Sequence, residues 1–240
     1  MKKFVKLYTK LSIVVVFFIS FYSCKKNEII IPILEEDTVT DIDSNTYKTV
    51  KIGNQWWMAE NLKVISYNDG TKIRNILSTE KDSIWAKIDS GAVCNIEDRY
   101  GMLYNWYAVN DSRKIAPKGW HIPTDEEWKI LEKEIGMSQV ELDKTGWRGT
   151  NEAEKLIVKS SEGWPTTDVF GSNSSGFSAL PSGCRLFNGT RSSNSNAAFW
   201  WTATENENQV YYRNLDSKKK SIYRSITYKK YGFSIRCVKD

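Results

Sequence analysis

Six short runs of apolar and aromatic residues in the last third of this 240-residue chain constrain its fold more than any other feature. They begin at Gly176, and in order they are GFSALP, CRLF, AFWWTAT, QVYYRNL, SIYRSITY and YGFSIRCV. Each run has the length of a strand, and residues typical of turns, such as Asn, Ser, Gly and Lys, separate the runs. The spacing predicts an antiparallel meander of short strands.

One segment in the middle of the chain has the signals of a helix N-terminus. In the stretch GWHIPTDEEW, Thr124 followed by Glu127 fits a capping box, in which each side chain accepts a hydrogen bond from the other residue's amide. The acids after Thr124 lie in the first turn, where the helix dipole favours negative charge. Apolar spacing from Trp128 to Ile135 predicts one buried face, and Gly136 ends the helix. We therefore expect a structural role for these acids, not a catalytic one.

Two further segments complete the predicted fold. Residues 47–62, YKTVKIGNQWWMAENL, are typical of two strands joined by a tight turn at Gly53 and Asn54. A second short helix is predicted at Asn151–Lys159. Helices in the middle of the chain and antiparallel strands at both ends predict an α+β fold.

The N-terminus has the pattern of a lipoprotein signal peptide. Four lysines and no acid occur before a short apolar run, LSIVVVFFISFY, which is shorter than the roughly 20 residues that span a bilayer. Cys24 follows, so we expect residues 1–23 to be removed and Cys24 to be acylated and anchored to a membrane. An uncleaved N-terminal anchor is the alternative. Residues 24–45 contain no aromatic residue and are predicted to be a tether to a domain at 46–240, and the alternative is that its IIIPIL run docks as an edge strand.

The charge balance argues against a nucleic-acid partner. The chain has 34 Lys and Arg and 29 Asp and Glu, but four of the lysines precede Cys24. The mature chain therefore has 30 basic and 29 acidic residues, a net charge of +1. The excess of basic residues belongs to the export signal, and no basic patch for nucleic acid is predicted.

Three cysteines remain if Cys24 is acylated. An exported domain permits a disulfide, and Cys237, near the chain end, can pair with Cys94 or Cys184. We expect Cys94–Cys237, because that bond would tie the two halves of the domain together. The sequence has no CxxC motif and no Cys/His cluster, so no structural zinc site is predicted.

The order of several phrases resembles a known family. KIGNQWWMAENL, YGMLYNWYAV, APKGWHIPTDEEW, GFSALPSG, FWWTAT and YGFSIRCV together resemble the Fibrobacter succinogenes major paralogous domain, from about Tyr47 to Asp240. The resemblance implies a lipoprotein of the cell envelope, expected in the outer membrane, with a domain whose biochemical function is not established.

A more distant resemblance implies a fold. IPTDEEW, FWWTAT and GFSIR are similar to phrases of the formylglycine-generating enzymes, which implies a C-type-lectin-like fold with two helices, antiparallel sheets, long loops and neighbouring termini. Those enzymes bind copper through two neighbouring cysteines, whereas Cys184 has no cysteine near it in sequence. We therefore expect no enzyme activity of that type and no cofactor.

Tryptophans are the predicted ligand-binding residues. Trp56 and Trp57 are adjacent in a strand, as are Trp200 and Trp201, and neighbours in a strand point to opposite faces. Burial in the core is the expected place for most of these tryptophans. If one of each pair is exposed, Trp57 and Trp201 are the candidates for stacking on a sugar ring.

Two polar features are weaker candidates. Glu205, Asn206, Glu207 and Asn208 carry the oxygen atoms that Ca²⁺ prefers, although a hairpin turn explains the segment more simply. His121 is the single histidine, so no multi-histidine metal site can form, and we expect it to be structural. The sequence thus predicts a non-catalytic, lectin-like lipoprotein that binds a polysaccharide or, alternatively, a surface protein.

Overall fold

The computed structural model describes residues 34–77, 80–159, 163–164, 171–192 and 196–240. These residues belong to one compact unit that runs from Leu34 to Asp240. The predicted signal peptide, residues 1–23, and the predicted acylation site Cys24 lie outside the described residues. No helix within the described ranges is long and apolar enough to cross a membrane.

The unit contains many short strands and a few short helices. The first strands and helices are β1 (Glu36–Thr40), β2 (Thr46–Ile52), β3 (Gln55–Met58), β4 (Arg74–Asn75), α1 (Asp82–Lys87), β5 (Ala92–Glu97), β6 (Gly101–Asn105), α2 (Trp106–Val109), β7 (Trp120–His121), α3 (Asp125–Glu134), α4 (Gln139–Leu142), β8 (Gly146–Arg148) and α5 (Glu152–Leu156). The remaining strands are β9 (Cys184–Arg185), β10 (Arg191–Ser192), β11 (Ala197–Asn206), β12 (Gln209–Asp216), β13 (Ile222–Tyr228), β14 (Gly232–Phe233) and β15 (Val238–Lys239).

The strands form three sheets. Their orders are β1-β2-β3-β15-β7, β10-β9-β14-β6-β5-β4 and β11-β12-β13-β8. Among the described strands, the pairing of β4 with β5 is parallel and all other named pairs are antiparallel. The fold is therefore β-rich with short helices, consistent with the predicted α+β class.

The predicted meander is correct for three consecutive strands. β11, β12 and β13 pair in chain order in the third sheet. β9 and β14 instead join the second sheet, where β14 lies between β9 and β6. Strand-like composition predicted these segments as strands, but the choice of sheet depends on contacts distant in sequence.

The prediction of a tether as far as residue 45 is wrong for the described part of that segment. β1 pairs with β2 along its whole length, from Glu36 opposite Val50 to Thr40 opposite Thr46. Asp41 is buried after β1 and accepts a hydrogen bond from the Tyr47 hydroxyl. The strand forms because β2 needs a neighbour for its backbone groups on this side.

Helix α3 begins with the predicted capping box. The Glu127 amide donates to Thr124 Oγ1 at 3.2 Å, and the Thr124 amide donates to Glu127 Oε2 at 2.8 Å. Trp128 and Leu131 are buried on its inner face. The structural role expected for this segment agrees with these contacts.

A buried ionic network fastens α3 to the third sheet. Asp125 accepts hydrogen bonds from Arg213 and Arg224, each at 2.7 Å, and Glu132 pairs with Arg148 at 2.7 Å and with Arg213 at 2.6 Å. Burial opposes ionisation of Asp125, but the two arginines outweigh it and lower its pKa to about 2. Asp125, an acid of the first helical turn, therefore holds α3 against the third sheet.

The second predicted helix is shorter than expected. α5 covers Glu152–Leu156 and not Asn151–Lys159, because Ile157 leaves the helix and forms a bridge with Ala179. The chain after Leu156 therefore runs beside the segment that contains Ala179 instead of continuing the helix.

The predicted Cys94–Cys237 disulfide is absent. Cys94, Cys184 and Cys237 are free and buried. Cys94 packs in a small cluster with Trp85 and Leu103, whereas Cys237 packs in the large core cluster. The prediction rested on the wide separation of the two cysteines along the chain. In the structure the two thiols lie in different parts of the core.

Candidate functional site

A continuous series of aromatic rings, here called the aromatic strip, crosses the third sheet and the end of the second. Successive ring centroids are 5.1, 6.1, 5.1, 5.5, 5.7 and 6.2 Å apart. In this order the rings are those of Trp147, Tyr223, Tyr212, Phe233, Tyr231, Phe187 and Tyr228.

Strand register brings the first rings together. Trp147 of β8 lies opposite Tyr223 of β13, so both side chains stand on the same face of the sheet. Tyr212 of β12 lies opposite Ser225, two residues along from Tyr223, which makes the two tyrosines diagonal neighbours. Residues far apart in sequence thus form one row.

The two ends of the aromatic strip are open to solvent. Trp147 is 39% exposed at one end, and Phe187 and Tyr228 are 48% and 60% exposed at the other. Phe233 is buried and supports the half-buried rings beside it. Large exposed aromatic side chains that cluster in this way mark interaction surfaces.

A cavity of about 590 Å³ lies at the Phe187 end. Its lining comes from α2, the β9–β10 turn, the β11–β12 turn, the end of β13 and the segment after β13. The lining residues are Tyr107, Phe187, Asn208, Tyr228, Lys229 and Lys230. Apolar rings with a few convergent polar groups are typical of small-molecule sites.

Fixed contacts hold the two lysines of this cavity. Lys229 Nζ lies 2.7 Å from Glu205 Oε2 and 4.7 Å from the ring centroid of Trp106. Lys230 Nζ donates to the Ala86 carbonyl at 2.9 Å. The ammonium groups of both lysines are therefore held at defined positions beside the cavity.

Two phenols of the strip, those of Tyr212 and Tyr231, are neutral polar groups. Burial raises the pKa of Tyr212 and of Tyr231 above the ordinary value for tyrosine. Both rings therefore keep their hydroxyl protons at physiological pH and can donate as well as accept hydrogen bonds. Rings with hydroxyl groups at their edges suit a ligand that has both apolar and hydroxylated faces.

Trp57 and Trp201 are not stacking surfaces, so the candidate binding role is wrong and the expected burial in the core is confirmed. Both side chains are completely buried. Trp57 packs against Trp128 with centroids 5.0 Å apart, and Trp201 donates from Nε1 to the Tyr104 carbonyl at 2.7 Å. Alternation does not expose either neighbour in β11, because the core covers both faces of that strand and Trp200 is buried as well.

The exposed rings have a sequence signal of a different kind. Phe187 precedes Asn188 and Gly189 in a tight turn, and Tyr228 precedes two lysines. An aromatic residue beside a turn lies at the end of a strand or outside it, where the core covers less of its side chain. That position, and not the richness of a strand in tryptophan, points to these surface rings.

The weak calcium candidate forms a hairpin turn. β11 ends at Asn206 and β12 begins at Gln209, so Glu207 and Asn208 are the turn, and Glu207 has a φ of 55°. Glu205 pairs with Lys229, and Asn208 lines the cavity at the Phe187 end of the aromatic strip. No group of three His, Cys, Asp or Glu residues within the described ranges is arranged to hold a metal ion.

His121 connects three parts of the molecule. Its Nδ1 lies 2.7 Å from Asp240 Oδ1, and its Nε2 lies 2.7 Å from Glu127 Oε1. Burial lowers the pKa of His121, but hydrogen bonds with Asp240 and Glu127 outweigh this and raise it above the ordinary value. The imidazole joins β7, the chain end and the capping box of α3.

Comparison with known proteins gives one match. A family model described as the Fibrobacter succinogenes major domain matches residues 50–239, most of the chain. No curated protein and no solved structure matches.

Proposed function

Since the chain belongs to the Fibrobacter succinogenes major domain family, we propose that it is a lipoprotein of the cell envelope with a non-catalytic domain that binds carbohydrate. The aromatic strip carries the proposal. Three of its rings are well exposed, and a cavity of about 590 Å³ adjoins Phe187 and Tyr228. Flat aromatic faces bind the apolar faces of sugar rings, and nearby amide, hydroxyl and ammonium groups bind the sugar hydroxyls.

The proposed fold is C-type-lectin-like. Support comes from the first sheet, in which β15, near the C-terminus, lies between β3 and β7, while β1 and β2 extend the same sheet. Both ends of the compact unit thus share one sheet, as the resemblance implies. The loops that carry the cavity extend from a scaffold of this kind.

The proposed location is the outer membrane, through an acyl group on Cys24. The basic leader, the short apolar run and the cysteine that follows it support this assignment. In this proposal the signal peptide is residues 1–23, and the lipid tethers the binding domain to the membrane.

A non-catalytic role fits the environment of the described cysteines. Burial raises the pKa of Cys184 to about 11 and raises the pKa of Cys94 and of Cys237. Thiols in this state are poor nucleophiles and poor metal ligands. An oxidase of the formylglycine-generating type needs two convergent thiols, so that alternative has less support.

Binding to a glycan array tests the proposal. We expect saturable binding of the purified protein to at least one glycan, weakened at least about tenfold, or ~1.4 kcal/mol, by Phe187→Ala or Tyr228→Ala, because truncation removes a stacking surface. Val140→Ala is the matched control, since Val140 is 75% exposed and is not a residue of the strip. Chelator should have no effect, because the Glu205–Asn208 segment is a hairpin turn.

The alternative occupant of the same surface is a protein. Exposed aromatic and apolar side chains also suit a protein partner. Absence of binding to plant, host and bacterial glycans would reject the carbohydrate proposal. Capture of a surface protein that depends on Phe187 and Tyr228 would then favour an adhesive function.

A further inference from the structure

A second cavity lies on a different part of the molecule and has an excess of positive charge. Its volume is about 290 Å³, and it lies beside Asn61 and Arg236. Its described lining includes four cationic side chains and one carboxylate, which are Lys48, Lys63, Arg99, Arg236 and Glu60. None of these residues belongs to the aromatic strip.

Arg236 differs from the other buried arginines. Five arginines are buried among the described residues, and four of them form an ion pair with Asp or Glu: Arg148, Arg185, Arg213 and Arg224. Arg236 is 1% exposed and forms no ion pair within the described ranges. A buried charge without a counter-ion is costly, so this site has a deficit of negative charge.

Neutral groups hold the Arg236 guanidinium in place. Its Nε donates to Asn61 Oδ1 at 2.9 Å and its Nη2 donates to the Ser178 carbonyl at 2.9 Å, while Nη1 donates to the Phe177 carbonyl. The centroid of the Phe177 ring lies 4.2 Å from Arg236 Cζ. Since Nη2 has two hydrogens, one remains for a ligand beyond the acceptor found among the described residues.

The other charged groups of this cavity do not supply the negative charge that Arg236 lacks. Glu60 Oε2 accepts the Lys48 amide at 2.7 Å, and Arg99 is paired with Glu97 at 3.0 Å. Lys48 and Lys63 form no ion pair with any described residue. Burial lowers the pKa of Arg236 to about 9, and the nearby Glu60 carboxylate offsets only part of that effect.

We infer that this cavity binds a small oxyanion, with the Arg236 guanidinium at its base and Lys48 and Lys63 at its rim. An oxyanion accepts hydrogen bonds from guanidinium and ammonium groups and supplies the missing negative charge. A free inorganic anion and the carboxylate of an acidic sugar share this chemistry. The site rests on its own observations and does not depend on the aromatic strip.

Calorimetric titration at constant ionic strength tests the inference. Purified protein is titrated with sodium sulfate, sodium phosphate or sodium glucuronate, and with sodium chloride for comparison. We expect saturable binding of at least one oxyanion, weakened at least about tenfold in the Lys48→Gln/Lys63→Gln double variant. Both lysines have exposed or half-buried side chains, so the variant should fold. Sulfate or phosphate binding indicates an inorganic ligand, and binding of glucuronate alone indicates an acidic sugar.

A Lys118→Gln/Lys133→Gln double variant is the matched control, because it makes the same charge change at exposed positions outside this cavity. It should bind as the wild type does. The inference is overturned if no oxyanion saturates, if the Lys48/Lys63 variant keeps wild-type affinity, or if the control weakens binding equally. A negative glycan array leaves this result unaffected, so the two proposals fail separately.

Discussion

Single side chains make contacts that their place in the sequence does not reveal, and His121 is an example. The histidine alone offers no triad and no metal site, which predicted a structural role. The structure adds its partners, Asp240 and Glu127, which are 119 and 6 residues away in sequence. The first of these contacts cannot be read from local pattern, because it depends on β15 pairing with β7.

His121 should make the stability of the protein depend on pH. Its pKa is raised above the ordinary value of 6.5, so its stabilising contribution is fully present below 6.5 and is lost as pH rises through the folded-state pKa. We expect the difference in free energy of unfolding between wild type and His121→Gln to shrink from pH 6 to higher pH. Urea denaturation at several pH values measures this difference. A difference that is constant across the range would contradict the assignment.

The fate of the tryptophans shows the limit of residue-level reasoning. Alternation along a strand correctly puts adjacent side chains on opposite faces, yet Trp200 and Trp201 are both buried. The Trp200 ring packs against Trp128 of α3 and Phe177 on one face, and the Trp201 ring packs against Phe233 of β14 on the other. Exposure therefore depends on what packs on each face, which a single strand does not reveal.

Among the elements, α3 follows most directly from its own residues. Capping involves atoms three residues apart, and the apolar spacing of its inner face is also local. The helix was therefore predictable, including its first residue Asp125. The roles of Asp125 and Glu132 as partners of arginines in β8, β12 and β13 were not, since those strands are distant in sequence.

Removing the cap should lower stability by a modest amount. We expect Thr124→Ala to reduce the free energy of unfolding by about 1 kcal/mol, because the Glu127 amide loses its acceptor at the helix N-terminus. Thr124→Ser keeps the oxygen and should retain most of the stability. Denaturant unfolding of the three proteins checks this, and equal losses for Ala and Ser would show that packing of the methyl group is what matters.

For the whole molecule, the arrangement of the sheets assembles the binding surface from segments that are far apart in sequence. β9 and β14 leave the order of the chain to join β6, which brings Phe233 next to Tyr212 of the third sheet and continues the row through Tyr231 to Phe187. The cavity beside Arg236 arises in the same way, since Lys48, Arg99 and Arg236 come from three separate regions of the sequence. Both candidate sites are products of tertiary structure.

Membrane attachment should depend on one residue. We expect Cys24→Ser to move the protein from the membrane to the soluble fraction, because the proposed acyl group supplies the anchor. Cys184→Ser is the control and should leave the protein in the membrane, since Cys184 is buried in the core. Fractionation followed by immunoblotting measures the distribution. Retention of Cys24→Ser in the membrane would instead support an uncleaved N-terminal anchor.

The amino-acid sequence by itself determined the features that depend on neighbours along the chain. These are the capped helix at Asp125, the hairpins of β2–β3 and β11–β13, the β-rich character and the family to which the chain belongs. Only the tertiary structure decided that residues 36–40 form an edge strand, that Cys94 and Cys237 are apart, and that Phe187 and Tyr228 lie side by side at one end of the aromatic strip. Turn, cap and periodicity signals act over a few residues, whereas burial and sheet order result from contacts between segments that the chain keeps far apart.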